Sequence, residues 1–92
     1  MSEHEDQFIY HSTEDQIRTF LNSSVWQDIE GTLTSQLSQS LVLLSGEENV
    51  DEMRRLQGKI QALRSLLILP NEIYEEIETE RLSKERLNES GE

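Results

Sequence analysis

The residues best suited to chemistry in this 92-residue chain sit at its start: His4, Glu5 and Asp6, with His11 a little further on. Imidazole and carboxylate groups are the ligands that a divalent transition metal takes. Binding one requires them on a rigid frame, and their spacing matches neither HxxxH nor HExxH on a helix. Residues 1–11 carry three acids, two histidines and no basic side chain, with Phe8, Ile9 and Tyr10 as their apolar payload. Such a segment buries too little to order itself, so 1–11 reads as a flexible acidic arm whose triplet docks locally at most. Nucleophilic catalysis has no better footing. The chain has no cysteine, and with both histidines in the arm no Ser–His–Asp arrangement is suggested. The glycines, at 31, 46, 58 and 91, make no phosphate-cradling loop. The expectation is a protein that is not an enzyme, with no catalytic, cofactor-binding or metal-binding residue and no cofactor.

Charge is the next source of chemistry. Nineteen acidic against 8 basic residues give a net charge of −11, which argues against direct nucleic-acid binding and against anionic membrane surfaces. The same charge suits a basic partner surface. Acidic clusters over 3–15 and 72–80 offer a row of carboxylates able to stand in for phosphates in a basic groove. Four of the basic residues, Arg54, Arg55, Lys59 and Arg64, lie within 53–70, where there is no acid. They are expected to pair with Glu72, Glu75 and Glu76 further along, or with the same residues of a neighbouring subunit. Docking on an acidic partner is the other reading.

Helices must position these groups, and the hydrophobic spacing places them. Met53, Leu56, Ile60, Leu63 and Leu67 fall at steps of three and four, one face of a helix that Pro70 should end. Ile29, Leu33, Leu37, Leu41 and Leu44, with Trp26 ahead of them, form a matching stripe over about 25–45, closed by Ser45-Gly46. The short turn around 47–48 makes the two antiparallel and sets Leu41 near Leu56, Leu37 near Ile60 and Leu33 near Leu63. Thr13-Glu14-Asp15-Gln16 has the form of a capping box and predicts a short helix to about Asn22; Ser24-Val25-Trp26-Gln27 repeats the form. Pro70-Asn71-Glu72 should open a fourth, acidic helix with Ile73, Tyr74 and Ile77 on its apolar face. The expected fold is all-α: an antiparallel helical hairpin flanked by a short N-terminal helix and an acidic C-terminal helix, a single domain over 12–87 with a frayed tail at 88–92.

Several side chains are left without an internal task. Leu66, Ile68 and Leu69 lie off the hairpin face. Gly58, in a row of small residues with Ala62 and Ser65, would admit a closely crossing helix. Trp26 reads either as an interface anchor or as a core residue closing the open end of the hairpin against Ile73 or Tyr74. With Ile77, these form the candidate interface.

Size points the same way. A chain this short buries only about 60–65% of its unfolded surface. Its 34% hydrophobic content is below the usual ~45–50%. With no cysteine to staple it, extra stability should come from a second copy of itself or from docking on a larger assembly. No apolar run is long enough to span a bilayer, and the acidic N-terminus lacks the apolar core of a signal peptide.

The run Arg55-Leu56-Gln57-Gly58-Lys59-Ile60-Gln61-Ala62-Leu63-Arg64-Ser65-Leu66-Leu67, followed by Leu69-Pro70 and an acidic segment, resembles short helical proteins encoded among phage virion-assembly genes. Phe20-Leu21, Trp26 and Ile29 fit the same pattern, so the resemblance covers about residues 13–80. It implies a non-enzymatic role in or near the virion, in the cytoplasm of a bacterial host or in the particle itself. Small acidic phage proteins also include inhibitors of host defences, which keeps an acidic inhibitor or nucleic-acid mimic as the alternative.

Overall fold

The structure is a computed structural model and describes residues 8–90. Helix and no strand is present among them: α1 spans Glu14–Leu21, α2 Ser24–Ser45 and α3 Val50–Ser90. Local sequence accounts for each start. The Thr13 hydroxyl accepts from the Gln16 amide and the Gln16 side chain accepts from the Thr13 amide, closing the expected capping box. Ser23, one residue before the expected cap, accepts from the Trp26 amide and opens α2. At α3 the Asn49 side chain accepts from the Glu52 amide at 2.9 Å, while the Glu47 carboxylate takes the amides of Glu48 and Asn49. Gly46 ends α2 with φ −105°, so it needs no left-handed conformation; its amide bonds back to the Leu43 carbonyl.

The principal departure from expectation lies at Pro70. No separate C-terminal helix begins there, because α3 runs through it as one helix of 41 residues. The proline φ of about −65° is itself helical; what is lost is one amide donor to the Leu66 carbonyl, at a cost of about 3 kcal/mol. Packing on both sides of Pro70 offsets that cost, since α2 lies along α3 and so does α1. The helix also continues over 88–90, where fraying was expected.

Trp26, Leu56, Ile60 and Leu63 are the buried apolar residues, and Leu33, Leu37, Leu44, Met53 and Leu67 are half-buried beside them. The molecule is long and flat, 64 × 39 × 18 Å, with a Cα radius of gyration of 18.6 Å. A compact domain of this length would have about 12 Å. The spine α3, roughly 60 Å long at 1.5 Å per residue, outruns both of its partners.

Candidate interaction surface

Which arc of each helix is covered decides what remains for function. On α2 the covered line is Trp26, Leu33, Leu37, Ser40 and Leu44. Ile29 and Leu41, expected in the core, are 41% and 40% exposed. At 100° per residue they lie about 60° to either side of that line, and a contact with one neighbouring helix covers only a narrow arc. Ser40, on the Ile29 side of that line, is covered instead, at 1% exposed. Hydrophobic spacing gives no sign of it.

Trp26 is not a surface anchor. It is buried, with the Phe20 ring tilted against it at a centroid distance of 5.6 Å, so it joins α1 to α2. Ile73, Tyr74 and Ile77 are half-buried. Arg18 of α1 donates to the Tyr74 hydroxyl at 3.1 Å and sits 5.7 Å from its ring centroid. Glu14 of α1 binds Arg81, which also pairs with Glu85 at 2.9 Å. These carboxylates, Glu14 foremost, hold the Arg81 guanidinium more firmly protonated than usual. Residues 14 and 18 thus meet 81 and 74, so α1 runs antiparallel to the second half of α3. The sequence held a signal for the Thr13 cap but none for this cross-link.

The basic patch finds a different partner from the one expected. Arg55 pairs with Glu52 one turn earlier in its own helix, which holds the Glu52 carboxyl below the usual carboxylate range. Arg54, Lys59 and Arg64 make no ion pair among the described residues. One continuous helix explains this: Arg55 and Glu72 are about 25 Å apart along it at 1.5 Å per residue, so they cannot meet within one chain.

Glu72, Glu75, Glu76 and Glu80 line an open groove of about 840 Å³ with Phe8, Ile9 and Tyr10. The Tyr10 hydroxyl donates to Glu76, and this bond raises the phenol above the ordinary tyrosine range. The Phe8 ring sits edge-on to Tyr10 at 5.3 Å and to His11 at 6.3 Å. The possible metal ligands His4, Glu5 and Asp6 lie outside the described residues, and among the described ones no group of three or more histidine and acidic side chains is placed to hold a metal. No helix of the described residues is long and apolar enough to cross a membrane.

Leu66, Ile68 and Leu69 remain exposed, at 48%, 52% and 44%. A Cβ added at Gly58 would meet nothing within 4 Å, so none of the helices among the described residues crosses closely there. No family model, curated protein or solved structure matches the chain.

Proposed function

We propose that the protein is a non-catalytic, acidic helical interaction module that associates with itself or docks on a larger assembly. In this reading α2 and the first half of α3 form an antiparallel hairpin as the scaffold, and the acidic second half of α3 is the arm that α1 braces. The observation that carries the reading is the exposure of Leu66 and Leu69 in the middle of the longest helix, beside a core already filled by Leu56, Ile60 and Leu63. Apolar side chains gathered on one flank of a rigid helix are what a partner surface covers. The resemblance to phage assembly proteins makes a structural or assembly accessory of the virion the leading role.

The test is affinity capture from phage-infected bacteria with the full chain and with Leu66→Asp, together with light scattering of each alone at micromolar concentration. A self-associated chain, or a virion component held by the unmodified chain and lost with Leu66→Asp, is the expected result. A monomer that holds nothing beyond what the variant holds would sink the reading.

The groove lined by Glu72, Glu75, Glu76 and Glu80 supports a second reading, an acidic inhibitor that occupies the nucleic-acid site of a basic host protein. That reading requires capture to weaken with salt and to compete with DNA or RNA. Binding unchanged at about 1 M salt, where the Debye length is roughly 3 Å, excludes it.

A further inference from the structure

We infer that the exposed flank of α3 is covered by a second copy of this chain, lying antiparallel on it about a two-fold axis between Leu66 and Leu69. The inference rests on the proposed reading as an interaction protein and names its partner. Along this flank run Arg55, Lys59, Ala62, Leu66, Leu69, Ile73, Glu76 and Glu80. The steps alternate four and three throughout, the 3.5-residue spacing of a two-helix seam. The order is two cations, four apolar residues, two carboxylates.

That order is self-complementary in one orientation. Turned about a point between Leu66 and Leu69, Leu66 of each copy meets Leu69 of the other, and Ala62 meets Ile73. Lys59 then faces Glu76, and Arg55 faces Glu80. Each contact occurs twice, as a two-fold interface requires. A parallel pair would set Arg55 on Arg55 and Glu80 on Glu80, so like charges oppose it. Continuity of α3 through Pro70 is essential to the pattern, because the seam crosses it: only an unbroken α3 carries the cations and the carboxylates on one line.

The flank is open at its centre, while Phe8, Ile9 and Tyr10 share a groove with Glu76 and Glu80 at its acidic end. Leu66 and Leu69 are about half exposed, and the Arg55 and Glu80 side chains are 61% and 67% exposed. Their present partners lie at the surface: Glu52 holds Arg55, Lys84 stands 3.9 Å from Glu80, and the Tyr10 hydroxyl donates to Glu76, a bond that the Lys59–Glu76 pair would replace. Leucine burial supplies the affinity, and the surface ion pairs fix the direction.

Sedimentation equilibrium of the full chain should give a mass of two copies at micromolar concentration. Leu66→Asp should weaken the dimer by about 30-fold or more with helix content by circular dichroism unchanged. Charge exchange gives a readout that misfolding cannot imitate. Arg55→Glu with Lys59→Glu, and separately Glu76→Lys with Glu80→Lys, should each reduce self-association, and combining all four in one chain should restore it. Because the chain has no cysteine, direction can be read by cross-linking. Lys59→Cys mixed with Glu76→Cys should oxidise to the mixed disulfide in preference to either homodimer. A Lys59→Cys homodimer as the main product, failure of the fourfold exchange to restore association, or a monomer at every concentration would overturn the inference. A monomer that still retains a virion component through Leu66 would overturn this inference alone and leave the proposed function standing.

Discussion

Ser40 shows how much a single side chain decides. It is the most buried residue of α2, in a line of leucines, and a leucine in its place would fit the sequence pattern better than serine does. The packing there has no room for one. Ser40→Leu should therefore destabilise the fold by about 1–3 kcal/mol through overpacking, read as a lower urea midpoint with an unchanged slope. An unchanged or higher midpoint would mean that α2 can rotate to set Leu41 against α3, the phase that spacing alone suggests. Gly58 is the opposite case. It reads as a point of close approach, yet an added Cβ there meets nothing within 4 Å among the described residues, so its cost to the helix, about 1 kcal/mol relative to alanine, has no packing return among them.

At the scale of elements, Pro70 is the instructive position. A proline after Leu69 and before an acidic run reads as a boundary, and a helix could begin there with proline in its first turn. Instead α1 folds back along residues 74–81 and α2 lies against the preceding part, so both sides of Pro70 are held in line. A proline tolerated this way leaves the Leu66 carbonyl without its helical donor. Pro70→Ala should restore the missing amide donor and stabilise the fold by about 1–3 kcal/mol, seen as a rise in the thermal midpoint by circular dichroism. A fall in the midpoint would show that the proline shapes the helix for its partners. The Thr13 cap, by contrast, needs no tertiary help to be read, and the reading of Ser24 falls one residue from the Ser23 cap, since each cap joins groups within three residues.

For the whole molecule, the elongated shape follows from one long helix with two shorter partners placed end to end along it. Such an arrangement encloses little, and apolar side chains stay on the flanks. Small-angle X-ray scattering of the Leu66→Asp chain at low concentration should give a radius of gyration near 18.6 Å. A value near the roughly 12 Å of a compact domain would mean that α3 breaks at Pro70 and closes on itself. It would also remove the straight line from Arg55 to Glu80.

Contiguous residues suffice for the all-helical class, for the start of α1 and, to within one residue, of α2, and for the buried line Leu56, Ile60 and Leu63 on α3. Those depend on contiguous residues: a cap reaches three positions, and a stripe repeats every three or four. The tertiary structure alone decided that Ser40 is covered while Ile29 and Leu41 are not, because the buried arc depends on where the neighbouring helix lies. It also decided that Pro70 stands inside a helix, because only packing from α1 and α2 outweighs a lost hydrogen bond. The basic and acidic residues of α3 were legible as a pair from the start. That Arg55 cannot reach Glu72 within one chain follows from the length of an unbroken helix, a distance no local pattern contains.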